Sequence, residues 1–373
     1  MKKNLMMVVQ KFYPSGAEAL VKSLTPAMSE NYNLHIVSML NNENKKEEHD
    51  YIKYLEKYNV KYHIINETSH FNRIKELSKY MIYNEIQIIH SHSYFPNMYA
   101  RLASIGKKVQ KIVTYHSASN DWNNRKLQWM ERFLDFYTDE RIAVSNVPVK
   151  HYKKYISKKN KVHVIPNGIH ISENQSFKTI QEFRSRNNIN EDELLFINVG
   201  RITPQKNQGM LIELMKELKQ SSIFNLKFKL YIIGYKESDL LWNEYERKIK
   251  EYGLQDMVIL YGSSSEVTLF MQSADLFLFP SLDEAHPIAL IEACSNNLLT
   301  IASNISANKQ TFSNDEIFLE DNKKVDDWKI LIEKIYIEKS FDTKEMRNIA
   351  KEKVKRSYTI QENAKKYIEL YSK

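Results

Sequence analysis

Short β-prone runs alternate with helical stretches along most of this chain, and that alternation limits its fold more than any other feature. In the first half the strand candidates are residues 4–9, 34–38, 61–65, 86–89, 111–115, 141–144 and 162–165. Between the first two, Ala17, Leu20, Val21, Leu24 and Met28 recur every three or four positions, as on one face of a helix. Pro26 is expected to bend or end that helix, because it lacks an amide donor and its ring crowds the preceding turn. A polar stretch, residues 172–193, reads as a linker. The pattern then restarts with strand candidates at 194–199, 229–233, 257–260, 276–279 and 299–302. Strands alternating with helices predict an α/β protein whose parallel sheets are joined by crossover helices. Near the C-terminus, Thr359 and Glu362 fit a capping box, and Ile360, Ala364, Tyr367, Ile368 and Tyr371 then share a face that must pack on something.

At 373 residues the chain is long enough for two domains, each with its own core. Its 42% hydrophobic and 27% charged residues suit a globular protein. The single cysteine, Cys294, lies in the apolar run IALIEACS and reads as a small core residue; an internal disulfide is impossible, which fits a reducing, cytoplasmic setting. Lys2 and Lys3 precede an apolar run, as in a secretory signal, but that run stops after five residues at Gln10 and reads as the first strand. No stretch approaches the roughly 18–20 apolar residues of a membrane span. The net charge of +8 favours anionic partners. Its densest cluster, Lys153, Lys154, Lys158, Lys159 and Lys161, reads as a solvated surface, and no zinc-finger spacing or aromatic RNA-binding motif points to nucleic acid.

Two segments carry the chemistry. In the first, Leu194-Leu-Phe-Ile-Asn-Val-Gly200-Arg201-Ile-Thr-Pro-Gln-Lys206-Asn207, a buried strand ends at Gly200 and two cations follow five residues apart. Ligands of open α/β sheets sit beyond the carboxyl ends of strands, so Arg201 and Lys206 stand where a diphosphate would be held. In the second, Pro280-Ser-Leu-Asp283-Glu284-Ala285-His286-Pro287-Ile288, another strand gives way to a helix that Pro287 is expected to open in its first turn. Amides from Ala285 to Ile288 then form an anion-binding helix start. Glu284 precedes it. Glu292 lies inside it among apolar residues and needs a partner if buried. The plainer reading makes Glu284 a helix cap and Glu292 a core residue paired with a lysine.

Together these segments resemble the C-terminal half of retaining GT-B glycosyltransferases of family 4 (group 1), which includes sucrose synthases and capsular and exopolysaccharide transferases. That family carries a strand-Gly-Arg…Lys-Asn motif and a Glu-x7-Glu-Ala motif, matched by Gly200, Arg201, Lys206 and Asn207, and by Glu284, Glu292 and Ala293. Phe12-Tyr-Pro-Ser-Gly16-Ala-Glu18 resembles its glycine-rich loop, Thr114-Tyr-His116-Ser its histidine strand end, Ala143-Val-Ser145-Asn its next strand end, and Pro166-Asn167-Gly168-Ile169 its hinge-proximal motif. Ser15 replaces a frequent glycine, and Ala285-His286 replaces the usual Gly-Phe, which bears on donor identity more than on activity.

The resemblance implies two Rossmann-like domains facing a cleft: residues 1–170 for the acceptor, 171–356 for the nucleotide sugar, and a C-terminal helix, 357–373, crossing back to the first. It implies an enzyme that moves a sugar from a nucleotide-diphosphate sugar, by family frequency a UDP-sugar, to an acceptor hydroxyl on a lipid-linked or polymeric glycan in polysaccharide synthesis, with retention. Glu284, His116, Arg201 and Lys206 are then the catalytic residues. Gly16, Arg201, Lys206, Ala285, His286, Pro287, Ile288 and Glu292 bind the donor. No Asp-x-Asp sequence occurs, so no metal cofactor is expected. The rivals are a nucleotide-sugar 2-epimerase on a similar fold, which needs no acceptor, and a basic protein that binds polyanions without catalysis. His90 and His92, in Ile-His-Ser-His, have the look of metal ligands, but a strand-end pair near the acceptor cleft is the preferred reading, with structural histidines as its equal. Trp122, Arg125, Lys126, Trp129, Met130, Arg132 and Phe133 mix aromatics with cations and suit peripheral contact with an anionic membrane on its inner face, or an ordinary helix with a basic solvated side.

Overall fold

The computed structural model describes residues 2–13, 16–117, 124–221 and 227–372. The chain divides into two compact units, residues 1–170 with 358–373, and residues 171–357.

The first unit holds strands β1 (Asn4–Val9), β2 (Asn33–Ser38), β3 (Lys61–Ile64), β4 (Ile88–His92), β5 (Gln110–Tyr115), β6 (Glu140–Ala143) and β7 (His163–Val164). They pair in parallel in the order β3-β2-β1-β4-β5-β6-β7. Central β1 is apolar on both sides, as a parallel strand covered by helices must be. Leu5, Met7 and Val9 join one core with Leu20, Leu24 and Met28, while Met6 and Val8 join the opposite core with Leu77 and Met98.

Pro26 does not end the first helix, which runs Gly16–Asn31. The Thr25 hydroxyl donates to the Val21 carbonyl at 3.1 Å and the Ser29 hydroxyl to the Pro26 carbonyl at 2.9 Å. Leu24 and Met28 are buried on either side of the proline, so core packing outweighs one lost backbone bond.

The C-terminal helix, Ile360–Tyr371, belongs to this unit. The Thr359 hydroxyl caps it by accepting the Glu362 amide, and Ile360, Ala364, Tyr367 and Tyr371 are buried with β1 and the first helix. Ile169 bridges Thr359 in parallel, and a Cβ on Gly168 would lie 2.6 Å from the Thr359 carbonyl oxygen. Only glycine lets the helix approach so closely there.

The second unit holds β8 (Glu193–Val199), β9 (Lys227–Ile233), β10 (Val258–Gly262), β11 (Leu276–Phe279), β12 (Thr300–Ser303) and β13 (Phe318–Glu320), parallel in the order β10-β9-β8-β11-β12-β13. The stretch read as a linker instead carries a helix, Phe177–Arg186, built into this unit. Phe183 meets Phe270 edge-on with ring centroids 4.7 Å apart. Buried Arg184 donates to the carbonyls of Ser273, Asn190 and Glu193 at 2.7, 2.9 and 2.6 Å. A guanidinium that satisfies three carbonyls anchors a helix whose sequence is otherwise polar. Cys294 is buried, and its thiol is pushed up to about 12 by that burial. Among the described residues no helix is long and apolar enough to cross a membrane.

Candidate functional site

In each sheet the strand order reverses once, between β1 and β4 and between β8 and β11. Loops leaving such a pair at their carboxyl ends diverge and open a crevice. In the second unit these loops are the ones that follow Val199 and Phe279. They are stitched together: the Leu282 amide donates to the Gln205 carbonyl at 2.8 Å, and Gln205 Nε2 to the Asp283 carbonyl at 2.6 Å. Asn207, at φ 55, donates its side-chain amide to the Pro280 carbonyl at 3.2 Å. Asparagine tolerates that left-handed conformation.

Lys206 and Glu284 meet across the stitch, Nζ to Oε1, at 2.5 Å. Both are largely shielded from solvent. The lysine stem runs past Gly200, and its Nζ lies 5.3 Å from the centre of the Phe279 ring. Arg201 is far more open, at 47% exposure, and pairs with Glu237 at 2.9 Å. An exposed pair of this kind holds the guanidinium only loosely. Glu237 is a site residue that sequence reading missed. It follows β9, whose pairing with β8 brings the two together, and no local spacing signals it.

After Glu284 the chain continues through Ala285 and buried His286 to the helix Ile288–Ser295. Pro287 precedes this helix rather than entering its first turn: its ψ is 87°, and its carbonyl accepts the Ile291 amide. Glu292 sits within the helix. Part of its surface meets solvent, yet protein crowds its carboxyl, and this desolvation pushes its pKa up to about 7. No hydrogen bond or ion pair reaches that carboxylate among the described residues, so the lysine partner expected of a core glutamate is not found.

A carboxyl with a raised pKa costs stability where it must ionise. Below pH 4.5 it is neutral in both the folded and unfolded states. The cost grows as pH rises toward 7 and is complete above it. Glu292→Gln should therefore raise the melting temperature of the ligand-free protein at pH 8 and leave it unchanged at pH 4. The full shift is worth about 3 kcal/mol at 1.36 per unit, and partial solvent contact reduces it to about 1–2. Equal melting temperatures at pH 8 would show that the carboxyl ionises normally.

In the first unit, Gly16 opens its helix at φ 55, where a Cβ would meet nothing within 4 Å. Pro14 and Ser15 lie outside the described residues. His116 follows β5 and is held neutral, pushed down to about 3 by burial. The strand before it is longer than its sequence suggested: β4 reaches His92, so His90 and His92 are both inside it and fully buried. His90 Nδ1 lies 2.5 Å from the Tyr371 hydroxyl and Nε2 lies 2.7 Å from Thr114 Oγ1. Both its nitrogens are engaged, which leaves none for a metal.

The basic aromatic segment forms a helix, Arg125–Asp135; Trp122 lies outside the described residues. Its inner face is acidic. Glu131 is buried and receives Arg101 through two bonds of 2.9 and 2.7 Å and the Tyr115 hydroxyl at 2.8 Å. Its outer face presents Trp129 and Phe133, and Phe136 caps its end at the next helical spacing; the three are exposed by 69, 52 and 89%.

The family of glycosyl transferases group 1 matches residues 179–356, and that of Glycosyltransferase Family 4 matches residues 14–173. The chain is 27% identical to the capsular polysaccharide biosynthesis glycosyltransferase CapH of Staphylococcus aureus, over 65% of this chain and 68% of that one. It is 26% identical to the UDP-Gal:alpha-D-GlcNAc-diphosphoundecaprenol alpha-1,3-galactosyltransferase of Escherichia coli, over 64% of this chain and 63% of that one. Anabaena Alr3699/HepE, solved with UDP and glucose, shares the fold at a TM-score of 0.86 and 14% identity, with 99% of each chain covered.

Proposed function

The chain belongs to the glycosyl transferases of group 1, and from that premise we propose that it moves a sugar from a nucleotide-diphosphate sugar to an acceptor hydroxyl with retention of configuration. The observation that carries this reading is the Lys206–Glu284 contact at the switch point of the second sheet. There a cation suited to a departing diphosphate stands beside a carboxylate suited to the positive charge that grows on the sugar. We assign Arg201 and Lys206 to the diphosphate, Glu284 to the sugar, Glu292 to the ribose hydroxyls, and Ala285, His286, Pro287 and Ile288 to the donor's anionic end. His116 contacts the sugar or diphosphate, and the Gly16 amide assists the phosphate. UDP is the nucleotide we favour, supported by the UDP held by the Anabaena neighbour. The acceptor we favour is a lipid-linked or polymeric glycan, in keeping with the diphosphoundecaprenol in the Escherichia coli relative's name.

Turnover with UDP-, GDP- and ADP-sugars tests this, with acceptor present and absent. Because no Asp-x-Asp sequence occurs, we expect nucleotide release to continue in excess EDTA. Complete loss of turnover in EDTA, restored by Mn²⁺ or Mg²⁺, would contradict the metal-free reading.

Lipid-linked acceptors lie at a membrane, and we place the Trp129–Phe133–Phe136 stripe against its anionic surface, flanked by Arg125, Lys126 and Arg132. Replacing the three aromatics by serine should abolish co-flotation with phosphatidylglycerol vesicles and leave the melting temperature unchanged, because none of them is in the core. Equal flotation of this variant and the wild type would remove the stripe from the account.

A further inference from the structure

Neighbouring strands β4 and β5 place His92 opposite Thr114, so His92 comes to lie beside His116. Their rings are 5.3 Å apart between centroids, and His92 Nδ1 is 3.0 Å from His116 Nε2. A proton must occupy that contact, since two bare lone pairs would repel. Burial keeps both rings neutral, so each carries one N–H.

The place of the second proton follows from burial. His92 is fully buried, and its Nε2 has no hydrogen-bond partner. An N–H at that nitrogen would be an orphaned donor, and orphaned donors are rarer and costlier than a bare acceptor. The His92 proton therefore sits on Nδ1 and is donated to His116 Nε2. His116 must then carry its own proton on Nδ1, which has no partner among the described residues.

We propose that His92 is a positioning residue that holds His116 as its neutral Nδ1–H tautomer, a fixed hydrogen-bond donor to the oxygens of the sugar-diphosphate substrate. This rests on the role given to His116 under the proposed function. Left alone, a neutral imidazole favours the other tautomer, and the hydrogen bond at one nitrogen decides which proton the other carries.

The arrangement is braced from behind. The His90 ring lies 4.1 Å from that of His92 between centroids, and its two nitrogens are tied to Tyr371 and Thr114. Tyr371 comes from the C-terminal helix, so the docking of that helix fixes the histidine stack. Ser93, next after His92, is held at φ 75 with its amide donating to the Thr114 carbonyl at 3.2 Å. A non-glycine residue held in that conformation stores strain, which clusters at functional sites.

Long-range proton–nitrogen spectra of the full chain labelled with ¹⁵N-histidine read tautomers without substrate or turnover. The signals lost in His116→Gln identify that ring. Wild-type His116 should show the Nδ1–H pattern and should shift toward Nε2–H in His92→Phe. In donor turnover, His92→Phe should lose roughly 10–100-fold in kcat with KM changed by less than about threefold, and His92→Asn should recover most of it. The asparagine amide stands where Nδ1–H stood, so its rescue separates positioning from mere packing. An Nε2–H pattern in wild-type His116, or unchanged kcat in His92→Phe, would overturn the proposal. Failure of the wild type to bind any nucleotide sugar would instead remove the proposed function and leave the tautomer result standing.

Discussion

Glu284→Gln should lower kcat on the order of 10²–10³-fold while KM for the donor stays within about threefold. In the role proposed for it, the carboxylate should matter most as the anomeric carbon gains positive charge toward the transition state. The fold should be undisturbed. Glutamine has the same length, and its carbonyl can still accept from Lys206, which lies 2.5 Å from the native oxygen. Lys206→Ala removes the other half of the contact and should cost about 10–100-fold in kcat/KM, from one charge-assisted hydrogen bond to the leaving group. Because the two residues touch, the double variant should lose less than the product of the single losses. Fully additive losses would mean that the residues act separately, and wild-type kcat in Glu284→Gln would reduce this glutamate to a structural partner of Lys206.

Arg101→Met should lower the stability of the first unit by about 3–5 kcal/mol, because it strands a buried carboxylate. Arg101 and Glu131 are each about 1% exposed, and two hydrogen bonds join them. The Tyr115 hydroxyl completes the cluster, and burial beside Glu131 pushes that phenol well above its usual range. The guanidinium also donates through Nε to the Asn97 carbonyl at 2.9 Å within its own helix, Tyr94–Ala103, while the bonds to Glu131 tie that helix to Arg125–Asp135 and, through Tyr115, to the end of β5. The double change Arg101→Met with Glu131→Leu should recover most of the loss, since neither charge remains to be solvated. Thermal melts of the three variants decide this; a double variant as unstable as the single one would mean that packing, not charge, holds the cluster.

How far the sequence disclosed the fold depends on the kind of residue involved. The strands Asn4–Val9 and Leu276–Phe279 are legible in the sequence to the residue, because buried parallel strands are largely apolar runs. The sequence places β4 too early, since His-Ser-His looks polar although all three residues are buried. β13 spans three residues and leaves no period to detect. The helix Phe177–Arg186 was hidden because a single arginine anchors it through backbone carbonyls, which carry no sequence signal. In the candidate site, residue types and strand ends could be read, but contacts could not. Lys206 and Glu284 are 78 positions apart, and Glu237 reaches Arg201 only through the pairing of β8 with β9.

We propose above all that the loops after β8 and β11 hold a nucleoside diphosphate. Calorimetric titration of the full chain with UDP, GDP and ADP tests it most directly, alongside Arg201→Ala and Lys206→Ala variants of unchanged melting temperature. One nucleotide should bind per chain, and each alanine variant should bind it roughly tenfold or more weakly. Absence of binding by all three nucleotides, or equal affinity in the wild type and both variants, would contradict it.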